Sequence, residues 1–174
     1  MVRGFLFFTK YNTIKLMIKT SAIILKSTDL NETGKTLTVY SEKLGKITIQ
    51  AKGVKKVESK LRGHIESISY VQLILIEGKN SLILKDAFLL NQFLNIKKDL
   101  KKITTAKKIA DLIDEAMAGE EKDEDIWKLI LETFTMLDVG NVGNVGNVIM
   151  TFEKKLINLL GYDSEHMREI ENLY

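Results

Sequence analysis

Between Lys43 and Gly63 the chain places Lys43, Lys46, Lys52, Lys55, Lys56, Lys60 and Arg62 against Glu58 alone, a local charge of +6 over 21 residues. Folding does not favour such a gathering, because like charges held close together repel. Ammonium and guanidinium groups in this density suit phosphate oxygens, so the stretch reads as a phosphate-binding surface. A solvated lysine-rich loop is the alternative. Other chemistry is thin. Thr33-Gly34-Lys35-Thr36 carries the GKT that ends a P-loop, but the glycine required five residues before Gly34 is Asp29. Leu37-Thr38-Val39 also alternates like a strand where a P-loop needs a helix.

His64 follows Gly63 with no fixed acid or nucleophile beside it, so a surface position is expected rather than a general base. Asp111 with Asp114 and Glu115, and the run Glu120–Asp125, sit where acids serve helix surfaces and helix starts. The absence of cysteine excludes disulfides, thiolate zinc and cysteine nucleophiles. Two histidines, His64 and His166, make a multi-histidine metal centre improbable. No catalytic constellation emerges, and an enzyme is not expected. Neither is a metal or any other cofactor.

Charge along the chain says more than its net value of +3. Residues 17–95 hold twelve Lys/Arg and seven Asp/Glu, giving +5, whereas residues 96–174 hold eleven and sixteen, giving −5. The first sixteen residues supply the other +3. A basic half and an acidic half point to different partners for each. With 45% hydrophobic and 28% charged residues the chain has a globular composition rather than a disordered one. No window approaches the ~18 apolar residues of a membrane span. Phe5-Leu6-Phe7-Phe8 is too short for a secretory segment, since Lys10 follows closely. Residues 1–16 are expected to be a poorly ordered extension of a cytoplasmic protein.

Two periodicities divide the rest. Five strands are predicted over 19–90: Lys19–Lys26, Lys35–Ser41, Lys46–Lys52, Ile68–Ile76 and Ser81–Leu90. In the second, Leu37 and Val39 should face inward and Thr36, Thr38 and Tyr40 outward. In the third, Ile47, Ile49 and Ala51 alternate with Lys46, Thr48, Gln50 and Lys52. Glu42-Lys43-Leu44-Gly45 suits a hairpin connection, Gly45 being free to take positive φ. Five short strands without an intervening helix favour a small closed barrel.

After Leu90 the period becomes helical. Ile103, Ala106, Ile109, Ala110, Ile113 and Met117 make one apolar face, stopped by Gly119. Asp123–Asp125 can cap a second helix carrying Ile126, Leu129, Ile130, Thr133 and Leu137. A third spans about Val148–Leu160, closed by Gly161. Gly-Asn-Val repeats at 139–148 read as a surface loop. The expected class is α+β: a five-stranded barrel at 17–91, then a small helical domain at 92–174.

The order of several segments resembles a known family. Ala22-Ile23-Ile24-Leu25-Lys26, Leu37-Thr38-Val39-Tyr40, Gly45-Lys46-Ile47 with Ala51-Lys52-Gly53-Val54-Lys55-Lys56, Leu61-Arg62-Gly63-His64 and Phe152-Glu153 through Leu159-Leu160-Gly161-Tyr162 are similar to the bacterial recombination mediators called RecO. The similarity covers about 17–165, with the middle helices matched in character only. It implies an OB-fold barrel, binding of single- and double-stranded DNA without sequence preference, annealing of complementary strands, and help in loading recombinase. Implied partners are the acidic tail of single-stranded-DNA-binding protein, RecR and, indirectly, RecA. The expected location is the nucleoid, with no membrane. Many such proteins carry a four-cysteine zinc module after the stretch like Leu159–Tyr162; with no cysteine among these residues, neither that module nor its zinc is expected here.

On that basis the DNA-binding candidates are Lys26, Lys35, Tyr40, Lys46, Lys52, Lys55, Lys56, Lys60 and Arg62. OB barrels hold oligonucleotides across the second and third strands and adjoining loops. Tyr40 either stacks a base or is an ordinary strand aromatic. About six lysine or arginine contacts to single-stranded DNA would give a slope near −4 in log affinity against log salt. Lys97, Lys101 and Lys108, in a run that includes Lys98, Lys102 and Lys107, are the partner-binding candidates; a solvated helix face is the alternative. An OB-type RNA-binding module and a protein-interaction adaptor without DNA binding remain the competing functions.

Overall fold

The computed structural model describes residues 5–8, 14–55, 61, 63–79, 81–117, 119, 121–140 and 145–162. Six strands come first: β1 (Phe5–Phe8), β2 (Ile14–Asp29), β3 (Lys35–Ser41), β4 (Gly45–Ala51), β5 (Ser69–Glu77) and β6 (Leu82–Asn91). Four helices follow: α1 (Leu94–Lys98), α2 (Leu100–Ala116), α3 (Glu124–Val139) and α4 (Val145–Leu159).

The long strand β2 pairs antiparallel with β3 along one edge and with β5 along the other. β3 pairs with β4 and β5 with β6, both antiparallel. A parallel contact of two residue pairs, Ile49 with Leu82 and Gln50 with Ile83, joins β4 to β6. The ring β2-β3-β4-β6-β5 is thus closed, in the strand order of an OB-fold, as the sequence leads one to expect. Alternation drives it: Leu37, Val39, Ile47, Ile49, Val71, Leu73 and Leu75 fill the interior while their neighbours face out. Gly45 takes φ +67° in the β3–β4 hairpin, where a Cβ would collide with the Glu121 backbone.

A second core lies between the barrel and the helices. Ile23, Leu25, Tyr40 and Ile68 of the barrel side join Ile109, Ile113, Ile126, Ile130, Phe134 and Phe152 there. A bulge in β2 between Ile24 and Lys26 makes this possible. It leaves Ile24 inside the barrel, turns Leu25 towards the helices and presents Lys26 outside. The helices are closed as their sequences suggest. Asp99 and Asp123 cap α2 and α3, each carboxylate accepting two backbone amides. After α4, Gly161 adopts φ +78° and its amide donates to the Asn158 carbonyl.

Three expectations change. Phe5–Phe8 pairs with Ile14–Met17, so part of the predicted disordered extension adds a strand to the sheet. The apolar run was too short to read as a strand alone, but it gains backbone partners from β2. Val145–Val148 begins α4 instead of lying in a loop, because Val148 joins the apolar face buried with Phe152 and Leu156. Residues 141–144 of the repeat lie outside the described residues. Tyr40 points outward from the barrel, as its register demands, yet is fully buried because the helical domain covers that end of the face.

Candidate nucleic-acid interface

The outer face of β3 and β4 is built by register. Thr38 stands opposite Lys26 on one side and Thr48 on the other; Thr36 stands between Thr28 and Gln50. Neither β3 nor β4 contains an acidic residue. A shallow groove beside the short β4–β6 junction is lined by Thr36, Lys46, Thr48, Gln50, Ser81 and Leu82. Lys52 continues the line just beyond β4 and is exposed. Hydroxyls, an amide and ammonium groups offer this face donors for phosphate oxygens.

Two of the predicted lysines are already engaged. Lys26 Nζ lies 2.8 Å from Asp114 Oδ2 and 3.0 Å from Asp111 Oδ1, both on α2. Lys46 Nζ lies 3.3 Å from Asp114 Oδ1 and also donates to the Asp114 backbone carbonyl. That carbonyl is among the last four of α2, which have no partner within the helix. Side-chain exposures of 39% for Lys26, 21% for Lys46 and 27% for Asp114 keep the cluster open to water. Hydrogen bonding to Asp114 and then Asp111 raises the Lys26 ammonium above its ordinary value. The same bond from Lys26, with help from Lys46, holds the Asp114 carboxyl below the usual carboxylate range against the opposing effect of burial.

The other candidates separate. Lys55 is structural: its amide donates to the Thr33 carbonyl, and its ammonium reaches the Asn31 carbonyl at 3.1 Å and Asp29 at 2.9 Å. It fastens the chain after β4 to the β2–β3 loop and holds the Asp29 carboxyl below its ordinary value. Lys35 reaches Ser27 Oγ at 3.4 Å. Tyr40 is withdrawn from the interface: with 0% exposure it cannot stack a base. Its hydroxyl makes no well-formed hydrogen bond, although the Asp123 backbone lies close enough to favour the phenolate slightly; burial, with the Asp123 charge, outweighs this and pushes the phenol up to about 12. Lys56, Lys60 and Arg62 lie outside the described residues. His64 is half-buried and Nδ1 donates to the Ala87 carbonyl at 3.0 Å, a structural bond.

In the helical domain Lys97 is committed to Glu66 at 3.1 Å and Ser69 Oγ at 3.0 Å. Lys102 closes the end of α3 by donating to the carbonyls of Asp138 and Gly140. Lys101 and Lys108 are exposed, as are Lys98 and Lys107. Leu100, at the head of the same helix, is 81% exposed.

Asp111 and Asp114, expected only to serve a helix surface, instead meet Lys26 and Lys46 of the barrel. Their three-residue spacing puts both on one helix face, a signal that pairs them with a facing cation, but the sequence does not say which cation faces them. Among the described residues no group of three or more His, Asp or Glu is placed to hold a metal ion. No described helix is long and apolar enough to cross a membrane.

Comparison with known proteins agrees with this architecture. Residues 16–93 match the family model for the recombination protein O N terminal domain, and residues 97–170 that for its C terminal domain. A protein of Desulforamulus reducens named DNA repair protein RecO is 34% identical over 143 residues, which cover 82% of this chain and 55% of that protein. Proteins of the same name from Clostridium perfringens and Clostridium acetobutylicum are 31% and 29% identical, each across 84% of this chain and 59% of the relative. The chain therefore spans little more than half the length of these relatives. The two family models follow one another in this order along residues 16–93 and 97–170, and the chain belongs to the RecO family.

Proposed function

We propose that this chain is a DNA-repair and recombination mediator that binds single- and double-stranded DNA through the outer face of β3 and β4, anneals complementary strands and helps load recombinase. The observation that supports it best is an OB barrel whose β3–β4 face carries lysines, threonines and no carboxylate of its own. Cationic contacts with DNA backbones release condensed counterions, which gives affinity without sequence preference. Lysines act as point charges and suit this kind of contact. The family resemblance adds RecR, RecA and the tail of single-stranded-DNA-binding protein as partners. The exposed Lys101 next to Leu100, with Lys108 about two turns further along α2, suits an acidic, apolar tail.

Fluorescence anisotropy of a labelled oligo(dT) across a salt series tests the DNA reading. A slope of log affinity against log salt between about −2 and −4 is expected, and Lys52→Glu should weaken binding at every sequence tried. A flat titration overturns it. Annealing of complementary strands coated with single-stranded-DNA-binding protein separates a mediator from an RNA-binding module. The engagement of Lys26 and Lys46 by α2 favours a second reading, an adaptor with little DNA affinity. Intact tail-peptide binding that is lost in Lys101→Ala/Lys108→Ala, alongside a flat DNA titration, would select it.

A further inference from the structure

We propose that Asp111 and Asp114 of α2 act as a built-in phosphate mimic, occupying Lys26 and Lys46 until a nucleic-acid phosphate displaces them and loosens the last turn of α2. This rests on the DNA reading of the β3–β4 face. Three carboxylate oxygens converge on two ammonium groups, at 2.8 and 3.0 Å from Lys26 and 3.3 Å from Lys46. Asp114 uses both its oxygens, one on each lysine, as the two non-bridging oxygens of a phosphodiester would. The acids come from the helical domain onto a face whose own strands β3 and β4 supply none.

Access and strength fit an exchangeable contact. Asp111 is 53% exposed and Lys26 39%, so an incoming phosphate reaches the cluster without opening the fold. Ion pairs this exposed are weak individually and weaken further in salt. The approach path lies along Thr38, Thr48 and Gln50, which carry no charge to resist it. Lys46 also donates to the Asp114 backbone carbonyl, a second tie to the last turn of α2 that is given up as that turn loosens. Displacement also places two carboxylates beside a polyanion, and their repulsion loosens the last turn of α2 while Ile113 keeps its place in the core. Binding at the barrel is thereby felt in the helical domain, as an autoinhibitory contact that the ligand itself releases.

Anisotropy titration of labelled oligo(dT) against the full chain, Asp111→Asn/Asp114→Asn, and that variant combined with Lys26→Gln/Lys46→Gln decides the matter. The asparagine variant should bind roughly three- to ten-fold tighter. Its salt slope should stay close to the parent's, because the same two lysines meet phosphate in both complexes, and should become shallower by about 1.4 in the combined variant. The gain should vanish in the combined variant. Binding by the asparagine variant but not by the parent also supports the mimic. Equal or weaker binding by a folded asparagine variant, with the parent binding normally, overturns the mimic and leaves the DNA reading standing; no binding by either overturns both. Should the asparagine variant not fold, hydrogen exchange of the parent gives the answer: added oligo(dT) should speed exchange at residues 111–116, and unchanged or slower exchange overturns the proposal.

Discussion

At the scale of the residue, the same side-chain type takes opposite roles according to what the fold brings beside it. Lys52 is exposed beyond β4, Lys55 ties two loops together, and Lys26 and Lys46 face carboxylates from a helix more than sixty residues away in sequence. The run of cations was legible; its division into structural and available members was not, because the dividing partners are distant. Tyr40 is the clearest instance. Alternation placed it correctly on the outer face of β3, but alternation carries no information about a second layer covering that face. A buried phenol without a partner bears the cost of its lost hydration. Tyr40→Phe is therefore expected to raise stability by about 1 kcal/mol in urea denaturation and to leave oligo(dT) affinity unchanged. It should also remove the phenol that ionises at about 12 from the alkaline absorbance titration. Weakened DNA binding in this variant would return Tyr40 to the interface.

At the scale of the element, joining barrel to helices depends on short, strained pieces with little sequence signal. Phe93 holds a left-handed backbone at φ 50°, a conformation costly for a bulky residue, and stacks on Phe134 with centroids 5.9 Å apart. It leaves α1 without a side-chain cap of its own. Asp138, near the end of α3, supplies one instead, accepting the amides of Asn95 at 2.9 Å and Ile96 at 3.0 Å. The three longer helices were readable from apolar spacing and from Asp123 and Gly161. The five-residue α1 was not, because one buried residue, Ile96, defines no period. Replacing the remote cap, Asp138→Ala, is expected to cost about 1–3 kcal/mol in urea denaturation. Asp138→Asn should recover much of this, since its amide oxygen still accepts. Equal losses in the two variants would assign the effect to charge instead.

At the scale of the molecule, the ion cluster between α2 and β2 makes part of the union of the two halves dependent on pH. Asp114 ionises more readily in the folded chain than its ordinary value allows, so its contribution is complete above that ordinary value and is lost as pH falls below it through the depressed folded value. Lys26 is raised, so the pair persists until strongly alkaline pH. Melting curves of the parent and Asp114→Asn should differ by an amount equivalent to at most about 1 kcal/mol from pH ~5 to ~9, and converge below pH ~4. A constant difference down to pH ~2.5 would contradict the assignment. The basic and acidic halves seen in the sequence are thus partly the two sides of an internal contact, a possibility that composition alone cannot separate from two external partners. One further property follows from the β4–β6 junction. Every other seam of the cylinder is stitched over many rungs, while this one has two, next to the hydroxyl-lined groove. Transient gaping of the wall should therefore begin there, beside the groove, before any other seam parts.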